Sequence, residues 1–295
     1  MQSELPDVTF SLDTLRDARL SINDDEFDKL RKLIHVHTGI ALADHKRALV
    51  CARLAKRLRH HRLGSYAEYY ELLTRRDPEE LELIELINAI TTNKTDFFRE
   101  AHHFQFLTDT AFPAMRAANR RRIRLWSAGT ASGEEAYTLA ITVCESFDSL
   151  TDWDIRILAT DIDTNVLDRA QNGVYPEEIL ERVPVALRSR YFQKGVAENA
   201  GYVRIKPQVQ SLLRFRRLNL MDDSWPMQGP FDVIFCRNVL IYFDKATQRT
   251  LLSRYAKLLR PEGYLMLGHA EVIHGFETMF RPVGHSIYQY QGGAA

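Results

Sequence analysis

Residues 125–141 read LWSAGTASGEEAYTLAI: a short apolar run, a loop of small residues bracketed by Gly129 and Gly133, two acids and then a helical pattern. Glycines at a strand-to-helix turn let backbone approach a ligand closely and bring helix N-terminal N–H groups near it. What is missing narrows the ligand. The G-x-G-x-x-G dinucleotide fingerprint is absent, as is the Gly-Lys-Ser/Thr ending of a P-loop. Glu134 and Glu135 fill the first helical turn, where a pyrophosphate would meet repulsion in place of a lysine. A first-turn acid suits a ligand with positive charge, and Asp161, at the end of the next β-rich run, is placed to accept from ribose hydroxyls. S-adenosylmethionine meets both demands, offering ribose, adenine, an ammonium and a sulfonium without phosphate. The alternative is that the two glutamates only complement the helix dipole.

The elements that must position these residues are an alternation. Short β-rich runs at 123–128, 154–161, 212–220, 231–238 and 263–269 alternate with helical segments, which predicts an α/β domain with a mostly parallel sheet covered on both faces. The run 258–268 reads as a helix end, a Pro-Glu-Gly turn and a buried strand, and 281–291 alternates like one antiparallel edge strand. About fifty residues separate the second and third core strands, far more than one crossover helix needs, so an insert is expected at about 173–211, with 201–209 as a small β excursion. Residues 24–90 carry helical periodicity: a helix from Asp24 stopped at Gly39, a second from Asp44 to His61, a third over 65–76 with Ser65 and Glu68 as a capping box, and a fourth over 78–90. The expected organisation is a loose tail with a short helix (1–22), a helical domain (23–90), a linker (91–104) and the α/β domain (105–291).

With 45% hydrophobic and 26% charged residues the chain can bury a sizeable core. Lysine and arginine balance aspartate and glutamate, 39 against 39, so only local clusters inform about partners. Cys51, Cys144 and Cys236 are widely spaced and form no CxxC pair, which argues against a disulfide framework. No stretch approaches 18 uninterrupted apolar residues and the N-terminus lacks a signal-peptide profile, so a cytoplasmic protein without membrane insertion is expected. Histidines pair at 60–61 and 102–103, with His35 near His37, but no cysteine or acidic ligand cluster accompanies them and no metal is expected.

TTNKTDFFRE (91–100), SAGTASGEEAYTLAI (127–141), ATDID (159–163), LNL (218–220), FDVIFCRNVLIYFD (231–244) and LLRPEGYLMLGHAE (258–271), in that order, resemble the chemotaxis receptor methyltransferases, the CheR family. The resemblance runs from about residue 24 to 291. It implies an all-α N-terminal domain, a linker and a class I, Rossmann-like methyltransferase domain with a small β-subdomain. It also implies the reaction: S-adenosyl-L-methionine donates its methyl to glutamate carboxylates on the cytoplasmic helices of methyl-accepting chemoreceptors, leaving glutamate methyl esters and S-adenosyl-L-homocysteine. By resemblance, Asn93, Thr95 and Arg99 line the cofactor together with the Ala128–Gly129 backbone. Glu135 meets the methionine moiety, Asp161 the ribose, and Asn219 with Leu220 the adenine end. Cys236, Arg237 and Asn238 complete the pocket, and Tyr242 faces the transferable methyl. Ala136 stands where the family often has proline.

Methyl transfer to a carboxylate is an in-line displacement, and a glutamate with pKa about 4.3 is already ionised near neutrality. No general base is required, and neither His269 nor His274 has a motif neighbour that would make it one. The two residues expected to act on the reacting groups are Arg99, pairing the incoming carboxylate, and Tyr242, orienting it or the methyl. The bland alternatives are an ordinary surface ion pair for Arg99 and a core tyrosine for Tyr242.

HKRALVCARLAKRLRHHR (45–62) contains no acid; Leu49, Val50, Leu54, Ala55 and Leu58 make its apolar stripe and leave a ridge of cations including Arg53, Lys56, Arg57 and Arg59. Docking of acidic receptor helices is the favoured role, against a solvated face or nucleic acid, the last opposed by neutral charge and missing aromatic interleaving. Some family members tether a C-terminal receptor peptide by strand addition at the β insert, and Gly201, Val203 and Arg204 are compatible with that. A nucleic-acid or amino-group methyltransferase is disfavoured because RNVLIY (237–242) replaces the Asn-Pro-Pro-Tyr type of motif. A cofactor-binding adaptor without activity would be favoured by loss of Arg99 or Tyr242, and both are present.

Overall fold

The computed structural model describes residues 21–273 and 275–292. The expected N-terminal tail lies almost wholly outside these residues, and so does His274. The chain divides into two compact units, Met1–Thr91 and Thr92–Ala295.

The first unit is helical. α1 (Asp24–Thr38) begins at a complete capping box, in which Asn23 accepts from the Glu26 N–H and Glu26 accepts from the Asn23 N–H, and ends at left-handed Gly39, φ 72°. α2 (Arg47–His60) follows a 3₁₀ turn over Asp44–Lys46 and buries Val50, Leu54 and Leu58, four residues apart. Leu49 of the predicted stripe stays 39% exposed. α3 (Tyr66–Arg75) is capped by Ser65, which accepts from the Glu68 N–H at 3.2 Å. The Glu68 carboxylate instead accepts from the Gly64 N–H at 2.8 Å, so the returning half of the predicted box falls one residue upstream. α4 (Leu81–Ile90) starts later than predicted: Glu80 is left-handed, φ 56°, and Asp77 accepts from the Leu83 N–H, so 77–80 form a turn.

The cationic ridge of α2 is not all turned to water, which corrects the expected face. The buried carboxylate of Glu82 accepts from Arg57 Nε at 2.9 Å and from Tyr69 Oη at 2.6 Å, and lies 2.6 Å from His61 Nε2; Arg57 Nη2 bonds it as well. Arg53 donates to the carbonyls of Ile90 and Thr91, the latter at 2.9 Å, and so closes the end of α4. Lys56 and Arg59 remain exposed. Another helix drew two cations inward, Arg57 to the Glu82 carboxylate and Arg53 to the last carbonyls, pairings that periodicity within α2 cannot reveal. Burial opposes ionisation of Glu82, but the hydrogen bonds from Arg57, Tyr69 and His61 outweigh it and hold its pKa down. That contribution to stability is present above the ordinary carboxylate range and fades as pH falls through the lowered value. Arg57→Ala is expected to cost about 2–3 kcal/mol in urea unfolding. Tyr69 and His61 stay on the carboxylate, so the loss falls short of a fully stranded buried charge. Lys56→Ala should change stability by less than about 0.5 kcal/mol.

The second unit opens with α5 (His102–Phe106), a π turn (Leu107–Ala111) and α6 (Phe112–Ala117). It continues through β1 (Arg122–Ala128), α7 (Glu134–Ser146), β2 (Asp154–Asp161) and α8 (Thr164–Asn172). An insert follows, made of β3 (Val174–Pro176), α9 (Val185–Tyr191), β4 (Phe192–Lys194), β5 (Tyr202–Ile205) and α10 (Pro207–Gln210). The core resumes with β6 (Leu213–Arg217), β7 (Phe231–Cys236), α11 (Lys245–Leu258) and β8 (Leu259–Leu267), then β9 (Phe280–Gly284) and β10 (Ile287–Tyr290).

The large sheet has the order β6-β2-β1-β7-β8-β10-β9; its first five strands are parallel, and β10 pairs antiparallel with both β8 and β9. Along β1 side chains alternate: Ile123 and Leu125 join the cluster with Leu139 and Phe235, while Trp126 and Ala128 join that with Leu251 and Tyr255. Two expectations change. The single edge strand over 281–291 is a hairpin, turned at His285 and left-handed Ser286, φ 56°, a backbone choice that alternation does not encode. β8 begins at Leu259, so the Pro-Glu-Gly turn is an irregularity within the strand, at left-handed Glu262, φ 65°. The insert forms the expected β excursion as a three-stranded antiparallel sheet ordered β3-β5-β4. Val203 and Arg204 lie on β5, its middle strand, with Gly201 just before it. β5 is paired on both sides, so an added strand could join only at β3 or β4.

Candidate active site

The strand order reverses at β1: the chain works outward through β2 and β6 on one side, then crosses to β7 and β8 on the other. In open α/β sheets ligands lie outside the carboxyl ends of the strands at such a switch point. Ala128 and Gly129 close β1, Asp161 closes β2, Asn219 and Leu220 follow β6, and Cys236 to Asn238 close β7. The parallel register therefore gathers these predicted positions along one edge.

The loop between β1 and α7 needs both glycines. Gly129 has φ 85° and Gly133 φ 98°; a Cβ would stand 2.4 Å from Val239 Cγ2 at the first and 2.9 Å from Ala170 Cβ at the second. Four of the loop's five N–H groups, all but that of Ser132, donate to named partners inside the protein. Gly129 and Thr130 donate to the Thr160 carbonyl at 2.8 and 2.9 Å, Gly133 to the Thr130 carbonyl at 3.0 Å, and Ala131 to Asp161 Oδ2 at 2.8 Å. A phosphate cradle needs those donors. This edge presents carboxylates in their place.

Asp161 is 8% exposed and accepts from the Asp163 N–H at 3.0 Å through its other oxygen. Burial, the largest influence, pushes its pKa up to about 6 against the pull of those N–H groups. The two first-turn acids part company. Glu134 accepts from Ser132 Oγ at 2.8 Å. Glu135 accepts from Ser127 Oγ at 2.7 Å and lies 3.4 Å from Arg237 Nη1. Burial raises the pKa of both, offset for Glu135 by Arg237 and Ser127.

Arg237 contributes more than backbone. Its side chain is 2% exposed, stands 3.4 Å from Glu100 Oε2 as well as from Glu135, and donates to the Arg99 carbonyl at 2.5 Å. The guanidinium also lies over the Phe104 and Phe235 rings, 5.6 and 6.0 Å from their centroids. It thereby ties 92–100 to the floor of the crevice. That segment is held elsewhere too: Asn93 Nδ2 donates to Asp163 Oδ2 at 2.6 Å, the Phe98 N–H donates to Thr138 Oγ1 at 3.1 Å, and Phe97 packs edge-on against Tyr175 and Phe192. Phe98 and Glu100 both adopt left-handed backbone, φ 55° and 54°, which such contacts must sustain.

Arg99 is partly exposed, its Nη1 donating to the Lys94 carbonyl at 3.0 Å, and Thr95 is half-buried in the same segment. Tyr242 Oη reaches the Thr92 carbonyl at 3.4 Å, so the tyrosine and the Arg99 segment lie on one side of the crevice. Asn219 Oδ1 accepts from the Met221 N–H at 3.0 Å, and the Leu220 carbonyl accepts from Arg254. Cys236 is buried, its sulfur accepting from Tyr255 Oη, and burial pushes its thiol pKa well up. His103, wholly buried behind Arg237, is kept neutral with a pKa pushed down to about 3 by burial first and the Arg237 charge second. Glu100 and Asp163 were quoted within motifs but given no role; the signal available for them was a charged residue inside a motif otherwise assigned to the pocket.

Residues 93–289 match the family model described as CheR methyltransferase, SAM binding domain, and residues 25–91 match CheR methyltransferase, all-alpha domain. Chemotaxis protein methyltransferase 2 of Pseudomonas aeruginosa is 46% identical over 264 residues, covering 90% of this chain and 92% of that protein. Chemotaxis protein methyltransferase of Escherichia coli is 39% identical over 292 residues, 98% of each chain, and that of Salmonella typhimurium 38% over 291, again 98% of each. With both units matched and relatives aligned along nearly its whole length, the chain belongs to the CheR methyltransferase family.

Proposed function

We propose that the protein transfers a methyl group from S-adenosylmethionine to glutamate side chains on the cytoplasmic helices of chemoreceptors, forming methyl esters and releasing S-adenosylhomocysteine. The observation that carries this is the donor inventory of the glycine loop: the N–H groups of Gly129, Thr130, Ala131 and Gly133 are committed internally and the Asp161 and Glu135 carboxylates stand beside them, which fits a cationic nucleoside better than a phosphate. Asp161 would accept from the ribose, Glu135 would pair the ammonium, and Asn219 with Leu220 would border the adenine. Asn93, Thr95, Arg99 and the backbone at Ala128, Gly129 and Cys236–Asn238 would line the rest. The bound cofactor supplies an electrophilic methyl on its sulfonium.

The protein's own task is alignment and exclusion of water, and holding reacting atoms in line is worth roughly 7–11 kcal/mol. Arg99 would pair the incoming carboxylate and Tyr242 would orient it. The substrate glutamate, pKa about 4.3, arrives ionised, so no proton needs to be removed. The functional test incubates the protein with methyl-labelled cofactor and receptor cytoplasmic fragments. Label that leaves as methanol in mild alkali supports the reading; alkali-stable label, as on nitrogen, contradicts it.

The receptor partner places the protein in the cytoplasm. For docking, the exposed Lys56 and Arg59 are the cations of α2 to reverse, since Arg57 is engaged with Glu82. Lys56→Glu with Arg59→Glu should raise KM for receptor several-fold in low salt while leaving product affinity unchanged. Equal loss of receptor and nucleoside binding would instead report misfolding. A receptor C-terminal peptide, if used as a tether, would add a strand at β3 or β4 of the insert.

A further inference from the structure

The stretch LGHAE (267–271) ends β8 beside β7, and its glutamate is spent on backbone. Glu271 is 5% exposed, and no ion pair reaches it among the described residues. Its Oε2 accepts from the N–H groups of Gly268 at 2.6 Å and Asn238 at 2.9 Å; its Oε1 accepts from the Ile241 N–H at 3.2 Å. A carboxylate buried against three N–H groups is a strong local clamp, because leaving any of them unpaired inside the protein is costly. Two of those donors belong to the loop that leaves β7 and carries Tyr242.

That loop begins with left-handed Asn238, φ 58°, so the chain turns sharply as the strand ends. Gly268 makes room for the turn: a Cβ there would stand 2.4 Å from Asn238 Nδ2 and 2.8 Å from both Asn238 N and Glu271 Oε2. At the other end Gln248 Nε2 donates to the carbonyls of Leu240 and Phe243 at 2.8 and 3.0 Å. Glu271 thus takes the loop's N–H groups and Gln248 its carbonyls, and Tyr242 sits between the two anchors.

We infer that Glu271 is the positioning residue for Tyr242, fixing the 238–242 loop through its backbone N–H groups so that the phenol meets the reacting groups. The inference rests on the methyl-transfer function proposed above. Glutamine in this place keeps the shape but offers one acceptor oxygen to three donors and turns an NH₂ toward N–H groups. Glu271→Gln is expected to lower kcat tenfold to hundredfold, with S-adenosylhomocysteine affinity, read by calorimetry, within threefold of wild type. Combined with Tyr242→Phe, it should lower kcat no further than the worse single variant, because both changes remove one arrangement.

Multiplicative losses in the double variant, wild-type kcat in Glu271→Gln, or nucleoside affinity falling in parallel with kcat would each overturn the assignment. Should the variant melt below assay temperature, hydrogen exchange in the wild-type chain decides: the Asn238 and Ile241 amides are expected to exchange slowly despite lying in a loop, and rapid exchange overturns the clamp. A wild-type protein that transfers no methyl at all would sink the proposed function, while the exchange measurement would still judge the clamp.

Discussion

An Arg237→Met chain is expected to lose about 3–5 kcal/mol of unfolding free energy, the cost of stranding buried carboxylates whose cation has been removed. Glu100 and Glu135 are 13% and 11% exposed and face the same guanidinium. Arg237→Lys should recover only part of the loss, because a point charge cannot span two carboxylates and the Arg99 carbonyl as a planar fork does. Removing the stranded charges as well, by adding Glu100→Gln and Glu135→Gln to the methionine chain, should recover more stability than the lysine replacement does, while still failing to bind nucleoside. Urea unfolding of wild type and these three variants checks the series. A methionine variant as stable as wild type would mean that solvent reaches the two acids and that the arginine does not hold residues 92–100.

The second large effect concerns Asp161. Alanine there removes the proposed ribose acceptor and leaves the Ala131 and Asp163 N–H groups without their partner. Hydrogen bonds to a charged group are worth about 1.5–3 kcal/mol each, so S-adenosylhomocysteine affinity should fall by two to three orders of magnitude. The pH dependence has a definite sign. The folded pKa, about 6, lies above the ordinary 3.8, so the folded chain holds this proton more tightly than the unfolded chain. Between those values the group's contribution to stability declines as pH rises. Nucleoside binding runs the other way, since the ionised carboxylate is the better acceptor: Kd should be level above about pH 7 and weaken as pH drops through 6. Asp161→Asn should bind more weakly and lose this pH dependence, and an unchanged pH profile in that variant would remove Asp161 from the ribose.

How much of this was legible in the chain follows from which interactions are local. The glycine loop, β2 ending at Asp161 and the buried spacing Val50, Leu54 and Leu58 are written in short-range pattern, and the fold reproduces them. GEE announced two acids near a ligand, but which one turns toward Arg237 depends on Ser127 and on a strand distant in sequence. The clamp that Arg237 places on the Arg99 segment, and the capture of Arg57 by Glu82, join residues far apart in the chain, so no window of sequence contains both partners. The β9–β10 hairpin was hidden for a different reason: a serine in left-handed conformation makes its turn, where the usual cue is Asn-Gly or Asp-Gly. Glu271 was visible as the last letter of a motif, yet its partners are main-chain groups, which carry no side-chain signature at all.

The proposed function requires that this crevice accept a cationic or neutral nucleoside and refuse a phosphorylated one. Titration calorimetry on the full chain tests it directly, with S-adenosylhomocysteine, ATP and NAD injected in separate runs at about pH 7.5, above the range in which Asp161 takes up its proton. One-to-one binding of the first and no detectable heat from the other two is the predicted result. Tight uptake of ATP or NAD, with no heat from S-adenosylhomocysteine, would contradict it.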